Sequence, residues 1–265
     1  MTFIAAMDNS GGSAGGVLDA YGQDWTEEDK MEKIHAFRVR MLESLNTKEA
    51  KDIDSVIMYK DSVERGMVQL CKEKAVDPIL KIDEGVEGNG TLKLFDINGI
   101  LDFAVEYGCV GTKMRSIVYD FYMIDPVLTQ QFAIGKLISM RGLMPIIEPE
   151  VPINHPNKHD IEIRLRERMD VWLDTIDYKC TLKLTIPSKQ GYFDHFFRHR
   201  NVHRVVALSG GYSLADACEK LRPTKMGASF SRALAEGLTY QMSDSDFAEH
   251  IQFNANLINK ACTGE

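Results

Sequence analysis

The sequence predicts an α/β protein whose fold is a (β/α)8 TIM barrel. Short apolar runs alternate with longer stretches in which apolar residues recur every three or four positions. Eight such runs lie within 265 residues, which is a typical length for this barrel. An open doubly wound sheet is the alternative, but no GxGxxG motif follows a strand. We therefore expect one domain that spans residues 1–265.

The eight strand candidates are rich in β-branched and apolar residues and are bounded by turn-forming residues. In chain order they are Phe3–Asp8, Ser55–Tyr59, Pro78–Asp83, Cys109–Arg115, Met144–Val151, Thr181–Ile186, Arg204–Gly210 and Ala228–Arg232. The helical patterns between them are EEDKMEKIHAFRVRMLESL, VERGMVQLCKEKA, PVLTQQFAIGKLISMRG, EIRLRERMDVWLDTI and LADACEKLR.

Composition excludes several classes of partner. The formal net charge of −8, with both signs interspersed, argues against nucleic acid. The apolar stretch in MTFIAAMDNSGG is too short for a signal peptide or a membrane span. The five cysteines are widely spaced and form no CxxC motif, so we expect a cytoplasmic protein without disulfides or structural zinc. A homo-oligomer is compatible with the sequence, which does not set the oligomeric state.

Charged residues recur on one face of the predicted strands. In CTLKLTIP, residues 180–187, Lys183 shares a face with Thr181 and Thr185, while leucines occupy the other face. The same alternation places further charges late in other strands: Asp8, Lys81, Asp83, Lys113, Arg115, Glu148, Glu150 and Arg232. In the last strand, Arg232 lines up with Ala228 and Phe230.

We expect the apolar face of each strand to pack against the surrounding helices, so the charged face should point toward the barrel axis. The charged residues come late in their strands, near the C-terminal rim where barrel active sites are built. These nine residues are five cations and four carboxylates. They predict a locally positive mouth for a small anionic substrate.

Two glycine-rich stretches are predicted to follow strands at the same rim. They are SGGYS, residues 209–213, and NSGGSAGG, residues 9–16. Backbone N–H groups in such turns can bind phosphate oxygens.

Seven segments, in order, resemble class I fructose-1,6-bisphosphate aldolase, most closely its short bacterial branch. They are FIAAMDNSGGS, PILKIDEG, GTKMRS, PIIEPEV, LKLTIP, VVALSGGYS and ASFSRAL. The resemblance implies reversible cleavage of fructose 1,6-bisphosphate, a small sugar phosphate, to dihydroxyacetone phosphate and glyceraldehyde 3-phosphate. It implies a lysine Schiff base and no metal or cofactor.

By the same resemblance, Lys183 is the imine-forming lysine and Glu148 is the acid/base that dehydrates the carbinolamine. Glu150 is its partner in setting protonation. Asp8 takes the proton from the C4 hydroxyl, and Lys113 stabilises charge beside it. The amine must be neutral to attack, and the cations Lys113 and Arg115 are expected to favour that form.

The resemblance also implies two phosphate sites. Ser209, Gly210 and Arg232 match the C1-phosphate side. The C6-phosphate side is matched by Ser10, Ser13, Lys81 and Arg115. Glu84 departs from the family, many members of which carry a lysine there. Animal relatives have a tyrosine near the end of the chain, whereas Tyr240 is the last tyrosine here.

Two other functions are also compatible with the sequence. Another Schiff-base barrel aldolase, such as a deoxyribose-phosphate or transaldolase-like enzyme, would share the lysine. A non-catalytic scaffold would keep the fold alone. His195, His199 and His203 are four residues apart, as in a zinc-binding helix face. They precede a strand, however, so we expect them at the opposite end of the barrel and predict no metal site.

Overall fold

The computed structural model describes residues 3–47, 52–93 and 95–265, and it confirms the predicted barrel. Its eight strands are β1 Ile4–Met7, β2 Ser55–Met58, β3 Asp77–Lys81, β4 Gly111–Ile117, β5 Met144–Glu150, β6 Cys180–Thr185, β7 Val202–Leu208 and β8 Gly227–Ala228. Each strand pairs in parallel with the next in sequence. A parallel bridge between Phe3 and Ala228 brings the last strand back to the first.

The helices lie between and after these strands. They are α1 Gly11–Tyr21, α2 Lys30–Ser44, α3 Lys60–Glu64, α4 Met67–Glu73, α5 Ile97–Glu106, α6 Ile124–Met140, α7 Lys158–Thr175, α8 Leu214–Leu221 and α9 Asp244–Thr263. Of these helices, none is long and apolar enough to cross a membrane.

Three local features differ from the sequence patterns. The stretch NSGGSAGG is mostly the first part of α1 rather than a loop. The pattern VERGMVQLCKEKA is divided into α3 and α4 at Gly66, whose φ of 90° is a left-handed conformation that glycine adopts without strain. Between β6 and β7 the structure has a short 3₁₀ helix, Asp194–Arg198, in place of an α-helix.

The barrel interior confirms the inward face for most strands. A cluster of six buried apolar side chains fills the axis: Ile4, Ala6, Ile57, Ile79, Ile146 and Val206. The charged residues continue the same alternation one or two steps further along. Lys113 is level with Ile146, and Lys183 is level with Val206. The charged side chains therefore adjoin the apolar cluster, toward the C-terminal ends of the strands.

The predicted alignment of Arg232 with Ala228 and Phe230 in the last strand is wrong. Both apolar residues are buried in the core between barrel and helices, and β8 ends at Ala228. Arg232 instead lies in the turn that follows the strand.

The loop after β3 is held against the end of β4 by a close backbone approach. The N–H of Ile117 donates to the carbonyl of Gly90 over 3.1 Å. Gly90 has φ of 81°, and a Cβ at this position would lie 1.8 Å from the carbonyl oxygen of Ile117. Only glycine satisfies both the conformation and the space.

We expect Gly90→Ala to reduce the free energy of unfolding by at least about 1–3 kcal/mol, because it combines a left-handed backbone with a steric clash. Gly88→Ala is the matched control, since its Cβ would meet nothing within 4 Å. Urea unfolding of both variants measures the difference. Equal stabilities would contradict the packing described for this loop.

Candidate active site

The structure brings all twelve predicted site residues to one cavity of about 980 Å³ at the C-terminal ends of the strands. They are Asp8, Ser10, Ser13, Lys81, Lys113, Arg115, Glu148, Glu150, Lys183, Ser209, Gly210 and Arg232. Parallel strands place their carboxyl ends at the same rim, which is why residues so far apart in sequence meet here.

Four side chains, three of them buried and the fourth, Asp8, half-buried, form a row of alternating charge at the centre of this cavity. Lys183 Nζ lies 3.2 Å from Glu148 Oε1, and Glu148 Oε2 lies 3.3 Å from Lys113 Nζ. Lys113 Nζ lies 2.7 Å from Asp8 Oδ2. The row thus runs from β6 through β5 and β4 to the end of β1. Each member of the row is within proton-transfer or ion-pair range of the next.

Burial and mutual attraction act in opposite directions on this row. Burial would raise the pKa of the Asp8 carboxyl, but Lys113 and Lys183 outweigh it and hold that pKa well below its usual range. Burial would lower the pKa of the Lys113 ammonium, but Asp8, Glu148 and Asp83 outweigh it and raise that pKa. Asp8 and Lys113 are therefore both charged at neutral pH.

The nearest ion-pair partner of Lys183 is Glu148, an opposite charge. The sequence led us to expect the cations Lys113 and Arg115 to act on Lys183, but the carboxylate lies between Lys183 and Lys113. Glu148 Oε2 is buried and has no hydrogen-bond partner among the described residues. Lys113 Nζ, at 3.3 Å, is the ion-pair partner of this oxygen.

One end of the cavity contains cations that already have carboxylate partners. Lys81 Nζ lies 3.5 Å from Asp83 and donates a hydrogen bond to Ser10 Oγ over 3.1 Å. Arg115 Nε donates to Glu150 Oε2 over 2.5 Å. Glu150 is thus bound to Arg115. Ser10 and Ser13 lie at the N-terminus of α1, where backbone N–H groups favour an anion.

The other end of the cavity is formed by the turn after β7 and the turn after β8. Gly210 and Gly211 have φ of 61° and 108°. A Cβ on Gly211 would lie 3.3 Å from Arg232 Nη2, so the guanidinium lies over this turn. Arg232 is exposed and has no hydrogen bond or ion pair with the rest of the described chain. Backbone N–H groups of such a turn, together with a cation above it, can bind an anion.

The predicted net positive charge of the mouth is wrong. Glu84 and Glu236 also line the cavity, so five cations face six carboxylates. Glu236 accepts a hydrogen bond from the N–H of Leu214 at the start of α8. Positive charge is concentrated at Arg232 rather than spread over the mouth.

The histidines lie away from this cavity. His195 and His199 are bound to Asp170 and Asp174 on α7, and His203 lines a small cavity at the opposite end of the barrel. Within residues 3–47, 52–93 and 95–265, no group of three or more histidine, cysteine, aspartate or glutamate side chains could hold a metal ion.

A curated relative identifies the family. The chain is 38% identical over 264 aligned positions to a fructose-bisphosphate aldolase class 1 from Porphyromonas gingivalis, and the match covers 92% of this chain and 89% of that protein. This chain belongs to the class 1 fructose-bisphosphate aldolase family. No protein-family model matches it.

Solved structures support the fold of this aldolase. A fructose-bisphosphate aldolase from Plasmodium falciparum, in complex with TRAP and an inhibitor, superposes with a TM-score of 0.77 at 18% identity. The alignment covers 98% of this chain and 90% of that one. An archaeal fructose 1,6-bisphosphate aldolase gives a TM-score of 0.58 at 12% identity, with 97% and 93% covered.

Two serines of the aldolase cavity were missed by sequence reasoning. Ser229 is 2% exposed, and its hydroxyl is buried without a hydrogen-bond partner among the described residues. Ser231 donates a hydrogen bond to Asn9 Oδ1 over 3.4 Å. The pattern SFS could have predicted them. Phe230 is buried on the helix side, so alternation places both flanking serines on the cavity side.

Replacing Lys113 should destabilise this aldolase because three carboxylates would lose their shared cation. We expect Lys113→Met to reduce the free energy of unfolding at pH 7 by about 3–5 kcal/mol. Lys136→Met is the control, since Lys136 and Asp177 form an exposed pair worth less than about 1 kcal/mol.

The loss should shrink as the pH falls below about 4. The depressed pKa of Asp8 gives stability that is present above its unfolded value and lost as the folded protein is acidified. Without Lys113, that carboxylate becomes a cost at neutral pH and is relieved by protonation. Urea unfolding from pH 7 to pH 3 measures this, and a loss that does not change with pH would contradict the ion-pair assignment.

Proposed function

We propose that this chain cleaves fructose 1,6-bisphosphate reversibly into dihydroxyacetone phosphate and glyceraldehyde 3-phosphate through a Schiff base on Lys183. The observation that carries the proposal is the row Lys183, Glu148, Lys113 and Asp8 within one cavity. Family membership supports the same reaction.

In the first step, Lys183 Nζ attacks the C2 carbonyl carbon of the ketose. Glu148 Oε1, at 3.2 Å, takes the proton from the ammonium and so frees the lone pair for attack. Attack moves the C=O electron pair to the C2 oxygen, which takes one proton from the attacking nitrogen to give the neutral carbinolamine. The protonated carboxyl then gives its proton to the C2 hydroxyl, which leaves as water. The product is an iminium ion between Lys183 and C2.

In the second step, Asp8 takes the proton of the C4 hydroxyl. The C4–O bond becomes a carbonyl, the C3–C4 bond breaks, and its electron pair passes into the iminium to form an enamine. Asp8 suits this role because its lowered pKa keeps it ionised before the step. Lys113, at 2.7 Å, stabilises the charge that moves between Asp8 and the departing oxygen. Protonation of C3 and hydrolysis of the imine release dihydroxyacetone phosphate.

The two ends of the cavity bind the two phosphates unequally in this proposal. The C1 phosphate lies in the turn of Ser209 and Gly210 under Arg232, with the unpartnered hydroxyl of Ser229 as a further donor. The C6 phosphate lies near Ser10, Ser13, Lys81 and Arg115 at the start of α1. There it must compete with carboxylates for the two cations, Lys81 and Arg115.

Borohydride trapping tests the imine. Reduction in the presence of dihydroxyacetone phosphate should give a stable secondary amine that maps to Lys183, and Lys183→Met should lose cleavage by at least about 1,000-fold because the covalent route is removed. Cleavage by the wild type should be unaffected by EDTA. Lys189→Met, an exposed lysine on the following loop, is the control. An adduct on another lysine would reject the assignment.

Glu84 should weaken the C6-phosphate site. Glu84→Lys changes the local charge by two units, so we expect it to raise the ratio of kcat/KM for fructose 1,6-bisphosphate over that for fructose 1-phosphate about tenfold. Glu87→Lys makes the same change at an exposed residue that does not line the cavity. Steady-state kinetics with both substrates measures the ratio, and equal shifts in the two variants would contradict a local effect.

A further inference from the structure

Gln131 is a fully buried polar side chain that lies directly behind the charged row. It is on α6 and is 0% exposed. Its amide makes two hydrogen bonds to one residue: the N–H of Glu148 donates to Oε1 over 2.8 Å, and Nε2 donates to the carbonyl of Glu148 over 3.1 Å. The side chain therefore holds both backbone groups of Glu148, as a neighbouring strand would.

This contact lies where the pairing between β5 and β6 ends. The two strands are in register only over Ile146 with Thr181 and Ile147 with Leu182, although both continue further. The next residue of β5 is Glu148. Beyond these two pairs, the register between β5 and β6 no longer sets the distance between the two strands.

A second side chain joins the two strands above this point. Thr185 Oγ1 accepts a hydrogen bond from the N–H of Val151 over 3.0 Å and donates to the carbonyl of Val151 over 2.8 Å. Lys183 and Glu148 thus face each other across a segment that is bounded by side-chain contacts. Lys183 Nζ and Glu148 Oε1 are 3.2 Å apart across this segment.

We propose that Gln131 is a positioning residue for the reaction, because its amide fixes the backbone of Glu148 so that one carboxylate oxygen faces Lys183 and the other faces Lys113. The proposal rests on the function proposed above. A general acid/base must lie within hydrogen-bond range of the proton that it transfers, so a small displacement of Glu148 slows carbinolamine dehydration. Substrate phosphates bind elsewhere in the cavity and should be unaffected.

The adjacent Gln130 provides a matched control. Its Oε1 accepts from the N–H of Leu92 and its Nε2 donates to the carbonyl of the same residue, over 2.6 and 3.0 Å. Gln130→Met and Gln131→Met therefore remove the same pair of hydrogen bonds from the same helix. Only the second removes them from Glu148.

The test compares these two variants with the wild type by single-turnover trapping with dihydroxyacetone phosphate and borohydride. We expect Gln131→Met to lower the rate of adduct formation and kcat about 10- to 100-fold with KM changed less than about threefold, and Gln130→Met to stay within about threefold of the wild type in both. Thermal unfolding accompanies each measurement. Equal losses of rate in the two variants, or a wild-type rate in Gln131→Met, would overturn the proposal.

Gln131→Glu tests the proposal even if Gln131→Met does not fold. A protonated carboxyl can accept from one backbone group and donate to the other, as the amide does, whereas an ionised one cannot donate. Burial favours the protonated form. The rate relative to wild type should therefore be close to one at pH 6 and should fall at higher pH as the carboxyl ionises, and a ratio that is low at pH 6 and does not change with pH would count against the positioning role.

Failure of the proposed function has a separate signature. If the wild type forms no adduct and cleaves no fructose 1,6-bisphosphate, the reaction assignment is wrong and the positioning proposal falls with it. If the wild type reacts and Gln131→Met reacts equally well, only the positioning proposal is wrong.

Discussion

The ion pairs around Lys113 are the constraint on which the rest of the site depends. A buried ammonium is costly unless carboxylates surround it, and this one has Asp8, Glu148 and Asp83 within 2.7 to 3.6 Å. These groups come from different strands, so the barrel must hold β1, β3, β4 and β5 at fixed spacing for the charges to balance. The apolar cluster along the axis packs on the side of these groups that faces away from the cavity mouth.

The cavity around this centre is asymmetric. At the end formed by Lys81 and Arg115, each cation is already bound to a carboxylate, so an arriving anion gains less from Coulomb attraction. At the other end, Arg232 has no partner among the described residues and lies over a glycine turn. We therefore expect an anionic ligand to gain more from Coulomb attraction at the Arg232 end than at the Lys81 and Arg115 end.

Side chains complete the framework where backbone pairing stops. The amides of Gln130 and Gln131 hold Leu92 and Glu148, and the hydroxyl of Thr185 holds Val151. All three contacts lie near the C-terminal rim, where the pairing between β5 and β6 has ended. Beyond this point the two strands no longer hold each other by backbone hydrogen bonds. The side-chain hydrogen bonds hold the backbone in place instead.

Much of the molecule follows from the sequence alone, for a physical reason. Alternation along a strand is local, so it placed Lys183, Glu148 and Lys113 on the inward face, and the order of short apolar runs was enough to predict eight parallel strands. The resemblance of LKLTIP, PIIEPEV and GTKMRS to class I aldolase segments then implied a catalytic role for each of these residues.

Only the tertiary structure determined the features that depend on contacts between residues distant in sequence. The inward face of the last strand was assigned wrongly, because β8 ends at Ala228 and pairing with β7 rather than local pattern sets its orientation. The mouth was expected to be positive, but Glu84 and Glu236 join the cavity from loops whose paths no periodicity predicts. The two hydrogen bonds between Gln131 and Glu148 join a helix and a strand across 17 residues of sequence. Only packing of that helix against the barrel brings the amide within reach.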